Sequence, residues 1–254
     1  MKIQESIWRG YKRLDFQFEG QNAILIVPDE PTQDKRWLFK TEYFDAFPNF
    51  EVEMLGKGYY VAHVRNSNRW GAPEATQLQV RFAEFLHTQF GLHKKFVTVG
   101  MSCGGMQAIY LAAAAPERIA LCYVDAPVMN FLSCPFYVGL QGQEPPKNFE
   151  KSNYKMAEEF TKYREMTLAD LLSYRNHPID CVPKLIEHNI PVFLVCGDSD
   201  GVVFYEENGA QLYKMYTEAN APIQLILKPG CDHHPHGLED NTPLIAAVEK
   251  SYMA

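Results

Sequence analysis

Apolar runs and amphipathic stretches alternate along most of the chain. Leu78, Phe82 and Leu86 recur at helical spacing between two of the apolar runs. Strands that are apolar throughout and alternate with helices form a mostly parallel sheet covered on both faces, so the pattern predicts a doubly wound α/β fold. The apolar runs lie at residues 23–27, 59–64, 96–99, 120–124, 191–196 and 223–227.

The N-terminal part follows a different pattern. Leu14, Phe16 and Phe18 alternate with polar residues, which predicts antiparallel strands before the parallel part of the sheet. Residues 37–55 are predicted to be helical in part, with Pro48 either interrupting or starting a helix.

The alternation of strands and helices also fails at residues 127–190, which are rich in proline and glycine. Two short helical patterns lie within them, near residues 155–163 and 167–174. We expect a small cap over the carboxyl edge of the sheet, inserted into a single domain of residues 1–254.

Composition and charge exclude several classes of protein. The 254 residues carry a net charge of −7 and no basic stripe, which argues against a nucleic-acid partner. No apolar run is long enough to cross a membrane, and the first residues lack the apolar core of a signal peptide. The six cysteines form no C-x-x-C pair, so we expect reduced thiols, a cytoplasmic location and no cysteine-based zinc site.

Ser102 lies in a Gly-x-Ser-x-Gly frame between a predicted strand and a predicted helix. A sharp turn at that junction would present the hydroxyl to a base and leave room for an oxyanion, so Ser102 is the candidate nucleophile. Cys103 follows it and is the expected oxyanion donor through its backbone N–H. The second donor is expected after the strand at residues 23–27, from Asp29 or Glu30, because Pro28 has no N–H.

A serine nucleophile needs a base and an orienting carboxylate, which follow it in the chain order Ser, Asp, His in this type of sheet. Asp200 lies after one predicted strand and is the preferred acid. Asp198, closer to that strand, is the type of residue that bonds turn backbone, and Asp125 ends another strand as a third candidate.

His233 lies after the last predicted strand and is the preferred base, with His234 and His236 in the same loop as competitors. Three histidines in four positions could hold a metal. The break at Pro235 and the lack of a cysteine or acidic pair argue against it, so neither a metal nor another cofactor is expected.

Several aromatic residues are candidates for contact with a substrate. A pocket of this kind would suit a small acyl, aromatic or carbohydrate-linked ester. The alternative interpretation of the cap aromatics is that they form the cap's own small core. The candidates are Trp37, Trp70, Phe131, Phe136 and Tyr137.

The turn at residues 100–104 (the elbow), residues 197–203 (the aspartate loop) and residues 229–237 (the histidine loop) together resemble the α/β-hydrolase superfamily, near its prolyl-oligopeptidase-like and esterase branch. The resemblance spans nearly the whole chain and is closest to bacterial hydrolases and esterases whose substrate is not fixed. It implies Ser102 as nucleophile, Asp200 as acid and His233 as base. Many similar elbows carry arginine where this chain has Cys103. Further segments carrying the resemblance include Trp70-Gly71-Ala72-Pro73, Val124-Asp125-Ala126-Pro127-Val128 and Asn176-His177-Pro178-Ile179-Asp180.

These patterns favour a serine hydrolase that cleaves small-molecule carboxylic esters through an acyl-enzyme intermediate. A small serine peptidase or amidase is the alternative enzyme, disfavoured because the chain has no room for a propeller domain. A non-catalytic ligand-binding protein on the same fold is the alternative of another class. We expect a monomer or homodimer with no nucleic-acid or membrane partner.

Overall fold

The computed structural model describes residues 2–71, 73–140 and 142–253. The strands are β1 (Ile3–Trp8), β2 (Tyr11–Phe18), β3 (Gln21–Val27), β4 (Trp37–Lys40), β5 (Tyr60–Val64), β6 (Phe96–Met101), β7 (Ile119–Asp125), β8 (Val192–Gly197) and β9 (Ile223–Lys228). The helices are α1 (Asn49–Gly56), α2 (Pro73–Phe90), α3 (Cys103–Ala114), α4 (Lys155–Arg164), α5 (Leu168–Leu171), α6 (Val182–Glu187), α7 (Gly209–Glu218) and α8 (Thr242–Ser251).

Within the described residues, the strands form one nine-stranded sheet in the order β1-β2-β3-β5-β4-β6-β7-β8-β9. The pairs β1/β2, β2/β3 and β3/β5 are antiparallel, and every pair from β5 to β9 in this order is parallel. The structure therefore confirms the predicted α/β fold, a mostly parallel sheet with antiparallel N-terminal strands. The carboxyl ends of β4 to β9 share one edge, where ligands bind in sheets of this type.

Helices cover both faces of the sheet. On one face, apolar side chains of α2, α3, α6 and α7 pack into a buried cluster with the strands, and Phe82, Ile109 and Leu212 are fully buried there. On the other face, α1 and α8 contribute Phe50 and Leu244 to a second cluster. Because both faces are buried, the central strands are apolar throughout, which is the pattern the sequence shows.

The region predicted to be helical in part divides into a strand and a helix. Trp37–Lys40 forms β4, which lies between β5 and β6 in the parallel part of the sheet. Asn49–Gly56 forms α1, with Pro48 at its N-cap, so the expectation that proline starts a helix here is confirmed. The loop at residues 41–47 between them lies at the carboxyl edge.

The segment between β7 and β8 is the one for which the sequence predicts a cap. Its helices α4 and α5 contribute Phe160 and Leu171 to a third buried cluster. That cluster also contains Cys103 and Met106, from the first turn of α3. The cap therefore packs over the turn that carries Ser102.

A buried ion pair lies beneath the loop at residues 41–47. The Lys40 ammonium contacts the Glu51 carboxylate, and the two side chains are 0% and 1% exposed. Lys40 also donates to the carbonyl oxygen of Ala46 at 3.3 Å. Because both charges are removed from water, each depends on the other for compensation.

Replacing Glu51 with leucine is expected to lower the free energy of unfolding by about 3–5 kcal/mol, because the Lys40 ammonium is left buried and unpaired. Urea unfolding followed by circular dichroism at pH 7 measures the loss. The double variant Lys40→Met/Glu51→Leu should recover most of the lost stability, since apolar pairs replace buried ion pairs at little cost. A single variant as stable as the parent protein would contradict the prediction.

In the described ranges 2–71, 73–140 and 142–253, no helix combines the length and the apolar composition that crossing a bilayer requires.

Candidate active site

Ser102 lies at the turn between β6 and α3, with backbone angles φ 55° and ψ −121°. The chain can turn this sharply only where neighbouring residues lack side chains. A Cβ on Gly100 would collide with the carbonyl oxygen of Gly104, and one on Gly105 would lie 2.7 Å from Pro127 Cβ. Gly100, the first glycine of the motif, is therefore required by the close approach of strand and helix, and Gly105, just after the motif, by the approach of the loop that follows β7.

Asp200 follows β8 and is held by its own loop. Its Oδ1 accepts hydrogen bonds from the backbone N–H groups of Val202 and Val203, each at 2.8 Å. Its Oδ2 lies 2.8 Å from Nδ1 of His233. Both carboxylate oxygens are thus committed, and the side chain has one orientation in which it can hold the imidazole.

His233 connects Asp200 to Ser102. With Nδ1–H donated to Asp200, Nε2 is left to accept a proton, and it lies 3.1 Å from Ser102 Oγ. The structure thus places a hydroxyl, an imidazole and a carboxylate in one hydrogen-bonded chain, the arrangement that activates a serine.

Asp232 ties the aspartate loop to the histidine loop. Its Oδ1 accepts from the backbone N–H of Gly201 at 2.9 Å and from that of His233 at 2.7 Å. The relative position of Asp200 and His233 is therefore set by contacts beyond their own hydrogen bond.

The competing residues of both loops have other partners. Asp198 accepts hydrogen bonds from Ser199 Oγ and from the Gly230 N–H. Asp125 accepts from His236 Nδ1 at 2.8 Å and from the Gly237 N–H at 2.7 Å. Burial lowers the pKa of His236, a shift that Asp125 opposes. Neither carboxylate contacts His233.

Cys103 begins α3 directly after Ser102, so its backbone N–H lies where the sequence predicts an oxyanion donor. The pKa of its thiol is raised to about 11, chiefly because the side chain is buried. At neutral pH the group is therefore a neutral thiol and a poor nucleophile.

Cys103 should resist alkylation by iodoacetamide at pH 7.5, because the reagent needs an accessible thiolate. Cys231, which is only partly buried, serves as the internal control for an active reagent. Peptide mass spectrometry after treatment of the native protein measures both positions. Alkylation of Cys103 as fast as Cys231 would show that its thiol is neither buried nor neutral.

The predicted second oxyanion donor is wrong. Asp29 and Glu30 follow β3, which runs antiparallel to β5, so they lie at the edge opposite Ser102. Glu30 lies beside Gly58, just before the start of β5, since a Cβ on Gly58 would collide with the carbonyl oxygen of Glu30. This is the amino end of β5, whereas Ser102 follows the carboxyl end of β6.

The loop after β4 lies beside the elbow instead. The Thr41 N–H donates to Val99 O at 3.1 Å, and Thr41 Oγ1 donates to Gly104 O at 2.7 Å. These contacts bind the start of the loop to the strand and helix on either side of Ser102. Tyr43 follows two residues later and lines the same cavity as Ser102.

A cavity of about 380 Å³ opens over Ser102. Residues of the elbow, the histidine loop, the loop after β4 and the cap share its wall. The described residues lining it are Tyr43, Ala46, Phe47, Arg69, Met101, Ser102, Cys103, Cys134, Asn153, Met156, Val202, His233, His234 and His236.

The aromatic residues proposed for substrate contact do not line this cavity. Trp37 is fully buried in the main core and donates from Nε1 to His93 O at 2.8 Å. The other four belong to the cap cluster or pack against it, which agrees with the alternative interpretation of a cap core. They are Trp70, Phe131, Phe136 and Tyr137.

The cavity also contains residues that the sequence did not single out. Arg69 follows β5 and forms an ion pair with Glu159 of α4, which links the wall of the cavity to the cap. Tyr43, Phe47 and Met156 complete the apolar part. Position could have identified Arg69, which follows the predicted strand at residues 59–64. Tyr43 and Phe47 follow β4, which the apolar pattern does not reveal.

Solved structures of other proteins share the fold. A dipeptidyl aminopeptidase IV candidate from Bacteroides ovatus aligns with 99% of this chain at 14% identity and a TM-score of 0.63. The chain spans only 36% of that protein's length. Est1E from Butyrivibrio proteoclasticus aligns at 15% identity and a TM-score of 0.59, covering 99% of this chain and 97% of its own.

No curated protein sequence matches the chain. At the level of families, residues 53–250 match the prolyl oligopeptidase family. This range includes Ser102, Asp200 and His233 and covers most of the chain. The protein therefore belongs to the prolyl oligopeptidase family and is a serine hydrolase with an α/β-hydrolase fold.

Proposed function

We propose that the protein hydrolyses carboxylic esters of small molecules, with Ser102 as nucleophile, His233 as base and Asp200 as the orienting acid. The hydrogen-bonded chain from Asp200 Oδ2 through His233 to Ser102 Oγ supports this most strongly, with distances of 2.8 and 3.1 Å. These two hydrogen bonds activate a serine, which is a function that a protein that only binds a ligand does not need.

The reaction proceeds in two halves. Ser102 Oγ attacks the ester carbonyl carbon while His233 Nε2 takes its proton, and the resulting imidazolium returns that proton to the departing alcohol. Water then attacks the acyl-enzyme with His233 again as base, which releases the acid and restores the serine. Asp200 holds the imidazole in the tautomer that both halves need.

We assign the oxyanion hole to the backbone N–H groups of Cys103 and Tyr43. The first lies at the positive N-terminal end of α3, where developing negative charge is stabilised. The Tyr43 N–H belongs to the loop that Thr41 binds to the elbow. Its hydrogen-bond acceptor in the structure is Glu42 Oε1, at a long 3.5 Å. An N–H so weakly engaged has the capacity to serve an oxyanion.

The lining of the cavity argues against an acyl group with a positive charge. Among the described residues that form the wall, none is aspartate or glutamate. A peptidase that recognises a free amino terminus needs a carboxylate for the ammonium group, since a buried cation must be paired. The wall instead offers apolar area from Tyr43, Phe47 and Met156 around the nucleophile.

A comparison of matched esters and amides tests the proposal. p-Nitrophenyl acetate and butyrate should be hydrolysed much faster than the corresponding p-nitroanilides and than a dipeptide p-nitroanilide with a free amino terminus. A fluorophosphonate probe should label one residue, which peptide mass spectrometry identifies as Ser102. Absence of both turnover and labelling would contradict the proposal and favour a non-catalytic binding protein.

A peptidase is the second candidate, because the matching family is named for an oligopeptidase. In the same experiment it predicts that the dipeptide p-nitroanilide is cleaved about as fast as the esters. Cleavage of the dipeptide anilide as fast as the esters, with Ser102 labelled, would select the peptidase.

A further inference from the structure

Three histidine rings meet at the wall of the cavity. The ring centroids of His233, His234 and His236 are separated by 4.9, 4.8 and 4.8 Å. One ring nitrogen from each lies within 4.8 Å of the other two. The sequence argued against a metal because Pro235 breaks the ligand spacing, but the folded loop brings the three rings into one cluster.

Two of the three rings are oriented as metal ligands usually are. His233 donates Nδ1–H to Asp200, and His236 donates Nδ1–H to Asp125, each across 2.8 Å. A histidine that binds zinc commonly donates its other ring N–H to a carboxylate, which fixes the ring and raises the basicity of the ligating nitrogen. Nε2 of each residue therefore carries the lone pair that a metal would bind, and on His233 that lone pair accepts from Ser102 Oγ.

His236 has no function in the proposed reaction, yet its side chain is only 4% exposed. It lines the cavity whereas Asp125 does not, so Nε2 is the ring nitrogen on the cavity side. In the described part of the chain, this nitrogen has no hydrogen-bond partner. The nitrogen therefore opens onto the cavity and is available to a ligand there.

His234 completes the cluster and is free to adjust. Its ring is exposed, stacks on Phe47 at 5.5 Å and makes no hydrogen bond with any residue that the structure describes. Tetrahedral zinc with bonds of about 2.0–2.1 Å brings its ligand nitrogens to roughly 3.3 Å from one another. Rotation of the exposed His234 ring can bring its nitrogen much of the way toward the other two.

We propose that His233, His234 and His236 form a binding site for Zn²⁺ or a similar imidazole-preferring divalent metal, which reversibly blocks the base His233. Metal on His233 Nε2 replaces its hydrogen bond with Ser102 Oγ, so the serine loses its proton acceptor. Asp125 and Asp200 supply negative charge behind two of the ligands, while Lys228, 4.0 Å from Asp125, opposes it. Hard cations such as Mg²⁺ prefer oxygen ligands and should not bind.

Isothermal titration calorimetry with ZnCl₂ on the Ser102→Ala protein tests the site without any turnover. We expect one zinc per chain, and His234→Gln and His236→Gln should each weaken binding by about tenfold or more. His188→Gln is the matched control, because His188 is exposed and lies at the opposite edge of the sheet. Absence of zinc binding, or equal affinity in both cluster variants and the control, would overturn the proposal.

A second measurement tests the block on the base in the unsubstituted protein. Zinc should slow fluorophosphonate labelling of Ser102, and a chelator should restore it. Labelling at the same rate with saturating zinc would overturn the inhibitory part. The inference does not depend on ester specificity: failure of the probe without zinc counts against the proposed function, while calorimetry still decides the metal site.

Discussion

Replacing Ser102 with alanine should lower kcat/KM for p-nitrophenyl acetate by at least about 10⁴-fold. The substitution removes the oxygen that forms the acyl-enzyme and leaves only general stabilisation by the backbone amides and the cavity. Initial rates at pH 7.5, corrected for spontaneous ester hydrolysis, measure the effect. Cys103 should not substitute for the serine, since burial raises the pKa of its thiol to about 11.

The control for this experiment is stability. Ser102 Oγ is hydrogen-bonded to His233 alone among the described residues, so its loss should shift thermal unfolding very little. Retention of more than a few per cent of the esterase activity by a folded Ser102→Ala protein would exclude Ser102 as the nucleophile.

Asp200→Asn should lower kcat by about 10³–10⁴-fold with a smaller change in KM. The carboxylate accepts the His233 Nδ1–H, whereas an asparagine amide can turn its NH₂ group toward the ring. That orientation stabilises the tautomer with the proton on Nε2, which cannot accept a proton from Ser102.

Asp198→Asn is the matched control for Asp200→Asn, since it makes the same change two residues away in the same loop. Asp198 contacts Ser199 and the Gly230 N–H but not His233, so a loss of less than about tenfold is expected from its turn contacts alone. Equal losses in the two variants would show that the loop, and not the Asp200 carboxylate, limits the reaction.

The positions of Ser102, Asp200 and His233 were predictable because local signals and topology agree. Each lies after an apolar strand, and parallel strands bring their carboxyl ends to one edge. The choice among the three histidines was less determined, since all of them lie within four positions of one loop. Side-chain contacts with Asp200 and Asp125 distinguish them, and no periodicity encodes those contacts.

The sequence pattern predicts the second oxyanion donor at the wrong edge of the sheet because β4 is difficult to recognise. It has four residues, Trp37–Lys40, all buried, and its last residue is a lysine. A buried lysine in a central strand breaks the apolar pattern. Its charge is compensated by Glu51, which lies in α1 and not in the strand itself. Without a recognisable β4, the sequence pattern points to the strand before it as the one that leads to the site.

The aromatic candidates illustrate a different limit. Trp70, Phe131 and Tyr137 are the type of residue that lines substrate pockets, and they do lie close to the elbow. Their side chains instead pack into the cap cluster, the same buried cluster that contains Cys103. The sequence shows that a large apolar side chain must be buried. It does not show whether that side chain packs inside the cap or faces the cavity.

The bridge made by Asp232 has a consequence for engineering this enzyme. The loops at residues 197–203 and 229–237 depend on each other, because one side chain accepts an N–H from each of them. A chimaera that takes only one of these loops from a relative would combine the Asp232 carboxylate and the Gly201 N–H from different proteins. The mismatch would shift His233 relative to Asp200. Exchanging both loops together keeps donors and acceptor matched, so the two loops are the smallest transferable unit of the site.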